Sequence, residues 1–228
     1  MNSFKKGIKI SLPICIGMIS IGISFGLAAR KAGLSIMEGT LMSMIVIAGS
    51  SQFFAIDMLS AGVSPVVIIL GTFVINLRHF VMSTYIMKRL KNVPLFKKLI
   101  LAYVVCDESF TMFSLSKKQE DDAAYLGGMN LMLYITWSLG SFLGCILMNF
   151  VPPKLSDALG IAIYAAFISM LMPSLMGSAK ILMVVLFTAA VNTLLSTVMP
   201  NGTSIILAML IGAFFGTMLP SDTKEQVK

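Results

Sequence analysis

Residues 40–59 read TLMSMIVIAGSSQFFAIDML. The stretch is long and apolar enough to reach across a bilayer core, which takes about 20 such residues in a helix. Its centre, however, is Gly49-Ser50-Ser51-Gln52. Non-helical backbone at membrane depth is tolerated only where protein buries it or where it lines a cavity. Whether this segment crosses, or dips in and returns, decides the topology of the whole chain.

Seven further apolar segments lie around it: Ile10–Ala29, Val63–Met87, Leu99–Leu115, Leu126–Val151, Ala158–Met176, Ile181–Met199 and Ser204–Leu219. The connections are short and carry turn chemistry, as at Ala61-Gly62, Val151-Pro152-Pro153 and Pro200-Asn201-Gly202. The 228 residues are 57% hydrophobic and 12% charged, about half the charge of a soluble domain. This excludes soluble enzymes, disordered tails and nucleic-acid binders. The reading is a single all-α integral membrane domain over residues 1–228, polytopic, with six to eight transmembrane helices.

Lys5, Lys6 and Lys9 ahead of the first segment resemble a signal-peptide start. The apolar stretch is too long for such a leader, so it is read as a retained helix. Cys15, Cys106 and Cys145 all fall in apolar runs and suggest no disulfide framework. With one histidine and no Cys-x-x-Cys, no metal site is expected, and no cofactor either. Gly22-Ile23-Ser24-Phe25-Gly26 fits a nucleophile-elbow pattern but lies inside an apolar helix with no strand before it. It reads instead as a small-xxx-small packing face, like Gly140–Gly144 and Gly212–Gly216. No enzyme is expected.

Charge tests the topology. If all eight segments cross, the basic residues divide eight against eight. If segments two and six dip and return, the inside holds Lys5, Lys6, Lys9, Lys88, Arg89, Lys91, Lys97, Lys98, Lys154, Lys180, Lys224 and Lys228. The outside then holds Arg30, Lys31, Lys117 and Lys118. That twelve-to-four split follows the positive-inside tendency. A seven-span alternative with the opposite orientation gives ten to six. Gly22/Gly140, Leu34/Leu155 and Thr72/Thr188 recur at similar offsets, which suggests repeat halves 10–115 and 126–219. With segments two and six re-entrant, the halves are inverted. Inverted repeats with broken helices are a secondary-transporter architecture. Gly49–Gln52 and Pro173 mark the two expected breaks.

Ionisable groups at bilayer depth are costly and point to function. Asn76, His79 and Ser83 share one face of segment three, with Arg78 on a neighbouring face. Arg78 suits an anionic substrate group, an ion pair with Asp107 or Glu108, or a snorkelling position near the cytoplasm. His79 suits either a packing role or a proton relay. Asp107-Glu108, read mid-way along segment four, suits proton coupling, because a desolvated carboxylate titrates nearer neutrality; the other reading places both near the membrane edge. Gly49, Ser50, Ser51 and Gln52 offer hydroxyls, an amide and free backbone groups for an amino acid. Thr188, Asn192 and Ser196 form the corresponding stripe in the second half, which suits either substrate or hydrogen bonding between helices. The substrate-binding set is therefore Gly49, Ser50, Ser51, Gln52, Asn76 and Asn192. Arg78, His79, Asp107 and Glu108 form the gate or proton site.

GISFGLAARKAGLS, AGSSQFFAIDML, NLRHFVMS and CDESF are similar to signature stretches of the AzlC family, also called BrnF or YgaZ. These are large subunits of two-component branched-chain amino acid exporters. The family often has Ala where this chain has Ser51. The resemblance implies export of leucine, isoleucine, valine and methionine, and a small AzlD-type membrane partner. The rival expectation is a channel or a structural subunit of a multi-component permease.

Overall fold

The computed structural model describes residues 2–117, 119, 121–152, 168, 171–172, 175–199 and 202–220. The described residues form α1 (Ser3–Lys31), α2 (Ile36–Val46), α3 (Gly49–Ser60), α4 (Pro65–Arg89), α5 (Leu95–Tyr103), α6 (Asp107–Leu115) and α7 (Asp122–Leu147). A short 3-10 turn follows at Met148–Phe150, then α8 (Ala179–Ser196) and α9 (Thr203–Met218). Helices α1, α4, α7 and α8 are long and apolar enough to cross a membrane. Large apolar side chains such as Ile16, Phe73 and Phe80 face outward on them, as lipid contact requires.

The central contact is between α1 and α7. A Cβ on Gly7 or Gly26 would run into the backbone oxygens of Tyr125 or Ser141, and one on Gly128 or Gly144 into those of Phe4 or Ile23. Only glycine lets these backbones touch, and in lipid such close packing drives helix association. The pairs also give direction. Gly7 lies against Tyr125, Gly22 against Gly140, and Gly26 against Ser141 and Cys145, so α1 and α7 run parallel. The end holding the starts of α1 and α7 is the lower end below.

Helix α2 begins at the upper end, where Gly39 faces Ala29 and Cys145. It descends past Ser141, to which Ser43 donates a hydrogen bond, and stops at Ile47 in the left-handed conformation. Helix α3 starts beside Trp137 and climbs back along α4, with Ser50 near Arg78 and Phe54 against Gly71. Segment two is thus a re-entrant hairpin from the upper end. Helix α4 then runs down to the lower end, where Arg89 bonds to Asp122 at the start of α7.

Segment four departs from the sequence reading, which had it crossing as one helix. Helix α5 rises from the lower end past Gly127 and Asn130. The chain breaks at Val104–Cys106, and α6 descends beside α4. Asp107 lies against Arg78, Phe110 against Tyr85, and Phe113 and Ser116 against Arg89. The break is held because its freed backbone groups find partners. Asn130 Nδ2 donates to the carbonyl of Leu101 at 2.9 Å, and the Cys106 amide donates to Ser109 Oγ at 3.1 Å. The expected inversion therefore lies elsewhere. The motif of one long helix followed by a half-depth hairpin occurs upward in α1–α3 and downward in α4–α6. The break expected at Pro173 in segment six lies outside the described residues.

Helices α8 and α9 form an antiparallel pair, with Phe187 stacked on Phe215 at 4.1 Å. Helix α9 joins α4 through Gly202 against Val63 and Val67. Lys180 Nζ donates to the Leu219 carbonyl at 3.0 Å, which places Lys180 at the lower end. The described basic residues then sort sharply. Lys5, Lys6, Lys9, Lys88, Arg89, Lys91, Lys97, Lys98, Lys117 and Lys180 lie low, and Arg30 and Lys31 lie high. Lys117 moves from the expected outside to the inside, because segment four returns. The lower end is the cytoplasmic one by the positive-inside tendency.

Candidate functional site

The two hairpin tips meet half-way along α4. Each tip starts a new helix there, α3 at Gly49 and α6 at Asp107. The amides of Gly49, Ser50 and Ser51 precede the first possible intrahelical acceptor in α3. A helix start carries about half a positive charge, so two such ends converge on one place.

Between them lies a narrow cavity of about 50 Å³, lined by Ala48, Gly49, Ser50, Arg78, His79, Cys106, Asp107 and Glu108, with Met18, Leu133 and Trp137 among its apolar walls. Ligand sites typically combine mostly apolar walls with a few convergent polar groups. Arg78 joins the two tips. Its Nη1 pairs with Asp107 Oδ2 at 2.9 Å, and its Nη2 donates to Ser50 Oγ at 3.1 Å. Both ion-pair side chains are about one-third exposed, at 36% and 37%, so a ligand in the cavity can reach them. Arg78 Nε and His79 Nε2 are buried with no protein partner among the described residues. Asp107 and Glu108 are not mid-helix acids. They occupy the first turn of α6, where the helix dipole stabilises a carboxylate.

On the upper side of the cavity is a closed hydrogen-bond ring. Trp137 Nε1 donates to Gln52 Oε1 at 3.0 Å, and Gln52 Nε2 donates to Ser43 Oγ at 3.0 Å. Ser43 Oγ donates to Ser141 Oγ at 2.7 Å, and Ser141 Oγ to the Trp137 carbonyl at 2.9 Å. Gln52 Oε1 also accepts from the Ala48 amide at 3.3 Å, which caps the start of α3. Phe25 packs on the same side, with its ring centroid 5.4 Å from Phe53 and 5.9 Å from Trp137.

The residues singled out from sequence therefore divide. Gly49, Ser50, Arg78, His79, Asp107 and Glu108 line the cavity. Ser51 and Gln52 are fully buried and hold the break: Ser51 Oγ bonds the Ala48 carbonyl, and Gln52 sits in the ring. Asn76 is one turn from His79 and half-buried, with its Oδ1 lacking a protein partner. Asn192 is on α8 and is not among the lining residues. Sequence reasoning missed Trp137, Ser43 and Ser141. The only signal was that Trp137 is the single tryptophan of the chain.

A multi-pass helical membrane protein with oppositely inserted half-helices around a mid-depth cavity is of the transporter type. The family model described as "AzlC protein" matches residues 13–151, well over half of the chain. The chain belongs to the AzlC family. It is 32% identical over 176 residues to an uncharacterized membrane protein of Archaeoglobus fulgidus, covering 76% of this chain and 77% of that one. It is 29% identical over 181 residues to the inner membrane protein YgaZ of Escherichia coli, covering 75% and 73%. It is 25% identical over 151 residues to the branched-chain amino acid transport protein AzlC of Bacillus subtilis, covering 65% of this chain and 59% of that one. The match thus spans less than two thirds of the Bacillus subtilis protein. No solved structure matches the chain.

Proposed function

We propose that this protein is a secondary transporter that exports leucine, isoleucine, valine and methionine across the plasma membrane, driven by the proton motive force and acting with a small AzlD-type subunit. The observation that carries the reading is the pairing of two half-helix starts across one mostly apolar cavity, bridged by Arg78. The charges there nearly cancel: one arginine and two helix ends of about half a charge each oppose two carboxylates. A site that is neutral overall, with separated positive and negative poles, suits a zwitterion with an apolar side chain.

In this reading the substrate carboxylate meets the α3 start at Gly49 and Ser50, and the ammonium meets Asp107 or Glu108. Ser51 and Gln52 keep the α3 start open to the cavity. Asn76 extends the polar path along α4. A substrate carboxylate that engages Arg78 releases Asp107, which then takes or gives a proton while His79 stays within the same cavity. Leucine counterflow in proteoliposomes, with and without the small subunit, tests this. Saturable, stereoselective uptake supports a carrier. Non-saturable flux would point to the channel reading, and no leucine signal with the subunit present would sink the substrate assignment.

A further inference from the structure

A second cavity, of about 470 Å³, lies on the lower side of the hairpin tips. Its lining includes Phe4 and Gly127, which belong to the lower turns of α1 and α7. It shares three lining residues with the mid-depth cavity: Ile47, Val104 and Tyr134. Two of these end the descending and ascending halves of the hairpins, as the residues that follow α2 and α5. Ile47 is a β-branched residue at φ 50°, a costly conformation that persists where the surroundings hold it. Tyr103 donates to the carbonyl of Ile45 and ties the two tips together.

Among the polar residues that line the second cavity, Asn130 holds an unpaired acceptor. Asn130 is 3% exposed. Its Nδ2 is engaged by Leu101, while its Oδ1 is buried with no protein partner. A buried acceptor left unpaired is unfavourable unless a ligand or water donor satisfies it. The walls around it, including Met44, Ile100 and Leu131, are apolar.

We infer that this space is a cytoplasmic-side binding vestibule for an apolar amino acid, with Asn130 Oδ1 accepting from its ammonium group and Ile47, Val104 and Tyr134 forming the barrier to the mid-depth site. The inference rests on the transport reading and adds a second binding station to it. The lower end is cytoplasmic by its basic residues, so an exported substrate meets this space first. The ammonium supplies the donor that Asn130 lacks, and the side chain replaces apolar surface on the walls. Passage inward then requires the two tips to separate, which breaks the Tyr103–Ile45 bond.

Gly127→Cys provides the probe, because a Cβ there meets only Leu101 at 3.5 Å and Phe4 at 4.0 Å. The full-length variant is labelled in oriented vesicles with a charged, impermeant methanethiosulfonate, against the parent protein with its three buried cysteines. Labelling occurs from the cytoplasmic face, and L-leucine slows it. Adding Asn130→Ala raises the leucine concentration needed by roughly tenfold, the worth of one charge-assisted hydrogen bond. If that variant fails to fold, Gly127→Leu serves instead: it fills the space and cuts leucine flux roughly tenfold.

Three outcomes overturn the vestibule while parent counterflow is intact. These are labelling that leucine leaves unchanged, slowing by decanol but not by leucine, and unchanged flux in Gly127→Leu. Missing leucine counterflow in the parent counts against the transport reading itself.

Discussion

Replacing Gln52 by Leu keeps the volume of a fully buried side chain and removes both of its polar roles. The Trp137 indole N–H and the Ala48 amide lose their common acceptor, while Ser43 keeps Ser141. Two orphaned buried donors cost about 1–3 kcal/mol each, so the variant is destabilised by about 2–6 kcal/mol. At roughly 2–4 °C per kcal/mol for a chain of this size, the melting temperature in detergent falls by at least about 4 °C. The assay is thermal unfolding followed by the fluorescence of Trp137. Gln52→Leu combined with Trp137→Phe removes donor and acceptor together, with unfolding then followed by light scattering. The pair is less damaging than the sum of the single changes by about 1 kcal/mol or more. A Gln52→Leu protein melting within about 1 °C of the parent, or strictly additive single changes, would refute the ring as the brace of the α3 start.

Arg78→Lys retains the charge but cannot bridge Asp107 and Ser50 with one planar fork. Leucine flux drops roughly tenfold or more at unchanged expression, measured by counterflow. Gly26→Val abolishes the folded, monodisperse protein because its side chain meets the backbone of α7, whereas Gly17→Ala, with open space around it, stays within about 1 kcal/mol of the parent. Size-exclusion profiles decide between them. Arg89→Lys loses the two-pronged bond to Asp122 and the bonds to the Phe113 and Ser116 carbonyls that close the end of α6. It costs about 2 kcal/mol or more in stability, read from the same melts. At the exposed start of α2, the Ser35 amide and hydroxyl hold the Glu38 carboxyl below its ordinary range. That cap contributes at neutral pH and fades as pH falls through the lowered value, so amide exchange at residues 36–38 speeds up in acid while that of α7 does not.

The packing faces of α1 and α7 were legible because glycines at four-residue spacing have one main use in lipid, though not that the two faces meet each other. The first break was legible too, since Gly49-Ser50-Ser51-Gln52 interrupts an apolar run. The structure shifts it two residues upstream, to Ile47-Ala48, and makes the polar residues the first turn of α3. The second break was not legible. Val104-Val105-Cys106 carries no glycine or proline, and its only marker was Asp107-Glu108, acids that favour a helix start. Read as buried mid-helix charges, they hid the return of the chain. This in turn put Lys117 on the wrong side and located the inversion between the wrong pairs of helices. The Gln52–Trp137 ring joins residues 85 positions apart, and single-sequence patterns carry no such pairing.

The central claim is that segments two and four enter the membrane from opposite ends and meet at Arg78. Cysteines placed singly at Lys31 and Lys117, probed with an impermeant thiol reagent in oriented vesicles, test it most directly. The structure puts them at opposite ends, with Lys117→Cys labelled from the cytoplasm and Lys31→Cys from outside. Labelling of both from the same face would contradict it.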